Sequence, residues 1–174
     1  MQERSIESEH LYKGKILNLR KDKVVLNDGK TAYREIIEHA PAVVIIPFEK
    51  PNKIYLVKQY RKAIEQVVTE VPAGVIDKDE DTLVAAKREL QEETGLIASS
   101  WTELGASYPS PGYCTEKMHF FLAQDLKLSE PNPDEDEFIE VISVTPEQME
   151  IMIDKKQIID SKTILAYLLM KKHI

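Results

Sequence analysis

Short runs of β-branched and aliphatic residues dominate the chain up to residue 75, and apolar residues at spacings of three and four take over after it. Within residues 11–38, two apolar stretches flank NDGK (residues 27–30), an Asn/Asp/Gly cluster of the kind that closes β-hairpins, so a β-ribbon is expected near the N-terminus. AVVIIPF (residues 42–48) and KIYLVKQY (residues 53–60) are Val/Ile-rich runs separated by EKPN, whose Pro and Asn signal a turn. They read as paired central strands. A third run, VVTEVPAG, ends in Pro72 and Gly74, both of which oppose a continuing strand, so the chain is expected to turn there. The following DEDTLVAAKRELQEETG sets Leu83, Ala86 and Leu90 on one helical face that can pack on the sheet. Asp79 or Asp81 can cap its start and Gly95 its end, giving about three to four turns. TPEQMEIMI, with Thr145 as cap and Pro146 at the first helical position, and DSKTILAYLLMKK, starting at Asp160, predict two packing helices.

With 174 residues and 43% hydrophobic content, the chain has the size of one ordinary domain with a real core. A net charge of −7 offers no basic field for phosphates, which argues against a general nucleic-acid binder. The opening MQERSIESEH lacks the apolar run of a signal peptide, and no stretch approaches the ~20 apolar residues that span a bilayer. The expectation is a soluble protein with no membrane partner. The single cysteine, Cys114, forms no internal disulfide; it fits a reducing compartment, so the cytosol is expected, and it reads as a loop residue that fills space. Met149, Met152 and Met170 are expected in the core and Trp101 as packing at a strand edge, while the four histidines show no metal-ligand spacing. No internal repeat or low-complexity linker is visible.

On the first predicted helix, Glu89, Glu92 and Glu93 stand at i, i+3 and i+4 and point the same way. Carboxylates this close repel by a few tenths of a kcal/mol per pair unless solvent or a cation intervenes. Two readings follow: a solvated acidic face, or a site for a hard divalent cation such as Mg²⁺, which takes anionic oxygens and keeps room for water and substrate phosphate.

Gly74, five residues, Glu80, seven residues, then Arg88, Glu89, Leu90, Gln91, Glu92, Glu93, Thr94, Gly95 and Leu96 match the complete Nudix box. Chance assembly of its fixed positions in a chain of this composition is on the order of 10⁻⁷, so the resemblance is specific. It implies an α/β/α sandwich with a mixed sheet, carrying the glutamates over a cleft, plus the N-terminal antiparallel β-ribbon. It also implies hydrolysis of a nucleoside diphosphate linked to another moiety, with two or three Mg²⁺ ions, for which Mn²⁺ can substitute. By this resemblance Glu89 and Glu93 are principal ligands, Glu92 is a further ligand or holds a metal-bound water, and the Ala73 carbonyl joins them. Arg88 orients a glutamate, Gly74 and Gly95 are structural, and Glu80 resembles a capping or helix-positioning residue. The chemistry accounts for the residue types, because a polyanionic pyrophosphate approaches glutamates only when metal ions neutralise charge.

Outside the box, QYR (residues 59–61) followed by EVPAG (residues 70–74) resembles the ADP-ribose pyrophosphatase branch. The resemblance implies substrate contacts at Arg61 and Glu70. Pro111, fifteen residues beyond Leu96, stands about where the branch places its characteristic proline. The SPG..TE element around it resembles a terminal-ribose site, with Ser110, Pro111 and Glu116 as candidates. NPDEDEFIEV (residues 132–141) resembles an acidic loop that supplies a general base and another ligand; aligned on E.E.I, Glu135 is the base and Glu137 the ligand, in a register good to a residue or two. YREIIEHAPAVVIIP (residues 33–47) resembles the junction where branch members exchange N-terminal sheets. A homodimer is therefore expected, with Arg34, or residues near Ile16 and Leu17, reaching the partner's adenosine site.

Together these expectations describe residues 1–40 as a ribbon and dimerisation element and residues 41–174 as a Nudix hydrolase domain. The function they imply is Mg²⁺-dependent hydrolysis of ADP-ribose to AMP and ribose 5-phosphate. Two other functions remain open: a pyrophosphatase for another nucleoside diphosphate sugar, and a nucleotide-binding regulator of the same fold without turnover.

Overall fold

The structure is a computed structural model that describes residues 2–129 and 138–173. By residue contacts the chain divides into two compact units: Met1–Pro41 with Ser107–Lys117, and Ala42–Ala106 with Met118–Ile174.

In the first unit, β1 (Arg4–Lys13), β2 (Leu17–Val25) and β3 (Thr31–His39) form an antiparallel sheet in that order. The NDGK turn closes β2 onto β3: the Leu26 N–H donates to Lys30 O at 2.8 Å, and Gly29 sits at φ 84°, a conformation that glycine adopts without steric cost. β1 adds a strand to the expected hairpin. It is exposed at every position, so it shows little of the alternation that burial of one face imposes. Residues 107–117 pack with this unit against β3. Ile37 donates to Tyr113 O at 2.7 Å, and the Thr115 N–H donates to Ile37 O at 2.9 Å.

The second unit holds β4 (Ala42–Glu49), β5 (Lys53–Arg61), β6 (Gln66–Glu70), β7 (Ala73–Val75), α1 (Thr82–Thr94), β8 (Leu96–Ser107), β9 (Met118–Leu128), β10 (Glu140–Val144), α2 (Pro146–Asp154) and α3 (Ser161–Met170). Its sheet runs β10-β5-β4-β9-β8, with β6 paired to β5 and β7 to β4. β4 runs parallel to β9 and antiparallel to β5 and β7, so the sheet is mixed. Val44, Ile46 and Phe48 on one face of β4 join a core with Met149, Ala166, Tyr167 and Met170 of α2 and α3. Val43 and Ile45 on the other face join Ala85, Ala86 and Leu90 of α1. Coverage on both faces explains why AVVIIPF is an unbroken apolar run, and it makes this unit the expected α/β/α sandwich.

The helix ends follow capping chemistry. Asp81, rather than Asp79, accepts from the Leu83 and Val84 N–H groups, and Gly95 closes α1 at φ 66°. Asp79 itself stands at φ 66° in the turn before the cap. Thr145 and Gln148 form a capping box with Pro146 inside it, and Asp160 caps α3. Trp101 packs edge-on to Phe121, the expected structural role. Among the described residues no helix is long and apolar enough to cross a membrane.

Candidate active site

The turn after β7 and the glutamate-bearing face of α1 assemble around one guanidinium. Arg88 Nε and Nη2 each donate to Glu80 at 3.0 Å, Nη1 donates to Glu89 at 2.6 Å and to Glu92 at 3.0 Å, and Nη2 also reaches Val75 O at 3.1 Å. Glu80 in turn accepts from the Asp77 N–H at 3.0 Å, which ties the loop to the helix. Hydrogen bonding to Glu80, with further help from Glu89 and Glu92, raises the Arg88 pKa well above its ordinary value against the opposing effect of burial. The same Arg88 contact holds the Glu80 carboxyl below the usual range. Glu80 is thus a positioning residue, and the cap is Asp81.

The three box glutamates differ in environment. Glu89 is 9% exposed and Glu93 6%, while Glu92 is half-buried. The Ala73 N–H donates to Glu93 Oε2 at 3.2 Å, placing the end of the buried carboxylate beside the backbone of β7. Gly74 has a steric reason. A Cβ there would stand 2.1 Å from the Glu89 carboxylate, so glycine lets the backbone of β7 approach this close.

Glu80, Glu89, Glu92 and Glu93 against Arg88 leave an excess of three negative charges when all are ionised. Partly buried, that excess calls for further cationic charge. The donors are all carboxylate and carbonyl oxygens, a set that suits Mg²⁺ or Mn²⁺ and not a soft metal. Among the described residues no three acidic, His or Cys side chains are drawn into a ligand cluster; Glu89 and Glu92 turn oxygens to Arg88 instead. The residues fit a hard cation by chemistry and by their shared helical face.

A second polar cluster lies at the ends of β5 and β6. Arg61 Nε and Nη2 fork onto the two oxygens of Glu70 at 2.8 and 2.7 Å, and Lys162 of α3 also donates to Glu70. Glu70 is 2% exposed, and its burial opposes ionisation, but Arg61 and Lys162 outweigh that and hold its carboxyl below the usual range. The charge of Glu93 is felt at Arg61, which links this cluster electrostatically to the box.

The remaining sequence candidates belong to the first unit or fall outside the described residues. Arg34, in the first unit, forks onto Glu3 at 2.9 and 2.5 Å. In the same unit Ser110 O accepts from the Tyr113 and Cys114 N–H groups; Pro111 is exposed and Glu116 half-buried in that loop. Glu135 and Glu137 fall outside the described residues. Sequence reasoning missed Lys162, although a signal was present: a lysine in the first turn of a helix opposes the helix dipole and so calls for a carboxylate partner.

Comparison with known proteins gives two matching family models, the NUDIX domain over residues 38–167 and the nucleoside diphosphate sugar hydrolase N-terminal domain over residues 3–37. An ADP-ribose pyrophosphatase of Bacillus subtilis (strain 168) is 39% identical over 176 residues, spanning 99% of this chain and 95% of the relative. A methanol dehydrogenase activator of Bacillus methanolicus is 40% identical over 167 residues, 95% of this chain and 90% of the relative. A crystal structure of an ADP compounds hydrolase superposes with a TM-score of 0.90 at 22% identity, covering 99% of this chain and 94% of that one, a likeness of fold.

Proposed function

We propose that this chain, which belongs to the Nudix family and is a Nudix hydrolase, cleaves the pyrophosphate of ADP-ribose to AMP and ribose 5-phosphate. The observation that carries the reading is the Arg88 hub: it fixes Glu89 and Glu92 on a face whose net negative charge and oxygen donors suit a divalent cation. Similarity over nearly the whole chain to an ADP-ribose pyrophosphatase supports the choice of substrate.

In this reading Glu89, Glu92 and Glu93, the Ala73 carbonyl and Glu137 hold two or three Mg²⁺ ions, with Mn²⁺ able to substitute. Bound there, the ions neutralise the pyrophosphate and make its phosphorus open to attack by water. Arg88 keeps the glutamates oriented, and Glu80 keeps Arg88 oriented. Arg61 uses two nitrogens on Glu70 and has Nη1 outside that fork, so it can meet an anionic substrate without leaving Glu70. Glu135 takes the proton as water forms its bond to phosphorus and the bridging P–O bond breaks. Ser110, Pro111 and Glu116 serve the terminal ribose, and Arg34 the adenosine of a partner subunit.

Homodimerisation through the first unit is part of the proposal. Ile6, Leu11 and Tyr12 of β1 and Tyr33 of β3 are exposed apolar side chains that a second copy of the sheet would cover. A monomer by light scattering at micromolar concentration overturns it. We place the activity in the cytosol, consistent with the unpaired thiol of Cys114.

The test compares kcat/KM for ADP-ribose, ADP-glucose, GDP-mannose, diadenosine polyphosphates, NADH and capped RNA with Mg²⁺, using Glu93→Gln as control. Preference for ADP-ribose, lost in the control, is expected. A higher value for another nucleoside diphosphate sugar moves the substrate but keeps the chemistry, an outcome in line with the N-terminal family model. Tight binding without turnover makes the chain a regulator. A second reading, favoured by the relative named a methanol dehydrogenase activator, is action on a dehydrogenase. Recording a methanol dehydrogenase rate with and without the chain tests that directly.

A further inference from the structure

Lys162 occupies the second position of α3, where its charge opposes the helix dipole, and its side chain is only 16% exposed. Burying a lysine there removes rotamer freedom and hydration, so the placement calls for compensation at the ammonium. Two carboxylates supply it. Lys162 Nζ donates to Glu70 Oε2 and lies 3.1 Å from Asp160 Oδ2.

Both carboxylates are otherwise committed. Asp160 Oδ2 accepts from the Thr163 N–H at 3.0 Å and from its hydroxyl at 2.6 Å, and Thr163 Oγ1 accepts from the Val71 N–H at 2.9 Å. This docks the first turn of α3 onto the segment just before the box. Glu70, one residue before Val71, carries the Arg61 fork. The geometry points to Lys162 as a positioning residue for Arg61: by neutralising Asp160 and the shared oxygen of Glu70, it leaves Arg61 in its fork with Nη1 directed to substrate.

The argument is one of charge balance. Arg61 and Lys162 together match Glu70 and Asp160, two cations to two anions. Remove Lys162 and Arg61, whose side chain is 41% exposed and able to move, becomes the cation for both carboxylates. After its hydrogen bonds to Glu70 and the charges of Glu70 and Glu93, Arg61 already feels the charge of Asp160. Arg61 is then drawn toward α3 and loses the pose in which it meets an anion. Lys162 itself touches no substrate in this scheme. The inference rests on the reading of Arg61 as a substrate contact.

The experiment measures KM and kcat for ADP-ribose with Mg²⁺ in Lys162→Met, Lys162→Gln, Lys162→Arg, Arg61→Ala and Arg61→Ala/Lys162→Met. Near-UV circular dichroism identifies the variants that keep the native fold, and the lysine effect is read on whichever of Lys162→Met and Lys162→Gln does. Loss of Lys162 is expected to raise KM by about fivefold or more while kcat stays within about twofold, and Lys162→Arg to restore most of the change. On top of Arg61→Ala, the Lys162→Met change is expected to add less than about twofold, because both act through one group. If Arg61→Ala raises KM and loss of Lys162 does not, the positioning role is wrong while the Arg61 assignment stands. An equal Lys162→Met effect in both backgrounds also overturns it. An unchanged KM in Arg61→Ala removes the premise and the inference together, and Arg61→Ala alone reports that case.

Discussion

Gly74 lies directly beneath the carboxylate of Glu89, so close that a Cβ on Gly74 would fall 2.1 Å from Glu89 Cδ and Oε1. The neighbour is the mobile end of a side chain, so Gly74→Ala pushes Glu89 aside without breaking the core. The expected result is a fall in kcat/KM of about 10- to 100-fold, the range seen when groups supporting a metal ligand are disturbed. The melting temperature stays near that of the parent. Steady-state assays beside thermal melts check both; unchanged activity in Gly74→Ala means that the position of Glu89 does not matter.

Arg88 faces three carboxylates, and Arg88→Gln leaves Glu80, Glu89 and Glu92 to repel one another. We expect a loss of about 1 to 3 kcal/mol of stability by urea unfolding, the scale for charged hydrogen bonds left without a partner. Because the variant lacks its internal cation, 5 mM-scale Mg²⁺, roughly a saturating level for a weak site, is expected to raise its melting temperature more than the parent's. The absence of a Mg²⁺-dependent shift in both proteins counts against cation binding at these glutamates.

The acidic segment tests the assignment of the base. Single Gln substitutions at Glu135, Asp136 and Glu137 are expected to identify one position where kcat drops at least about tenfold, equal to about 1.4 kcal/mol of barrier. If none does, the base lies elsewhere.

Glu70 and Glu80 set the acid limit of stability. Both are held below the ordinary carboxylate range, Glu70 by Arg61 and Lys162 against its burial and Glu80 by Arg88. A carboxyl with a depressed pKa in the folded state binds protons more readily when unfolded. Its stabilising effect is therefore complete above the unfolded value of about 4.3 and is lost as pH falls from there through the folded value. The urea midpoint is expected to decline below about pH 5, and the deficit of Glu80→Gln relative to the parent to shrink from pH 7 to about pH 3. A deficit that stays constant with pH removes Glu80 from this account.

The NDGK ribbon, the strands AVVIIPF and KIYLVKQY, and the three helices with their caps were legible in the sequence because each depends on neighbours close along the chain, whereas β1, β8 and β9 were not read from it and the expected turn at Gly74 holds the short strand β7. AVVIIPF, NDGK, Asp160 and Gly95 sit where local patterning put them. The shared face of Glu89, Glu92 and Glu93 was readable for the same reason, since helical geometry alone dictates it. Tertiary structure decided the rest. Packing of α1 on β4 and β7 determined that Glu89 and Glu93 are buried and Glu92 half-exposed, and it brought the Ala73 N–H to Glu93. Only the fold placed Lys162 on Glu70, across 92 positions of sequence, and joined residues 107–117 to the first unit. The physical reason is that chain-local spacing encodes which way a side chain points. Which charges end up neutralising one another depends on surfaces that meet only when distant segments pack.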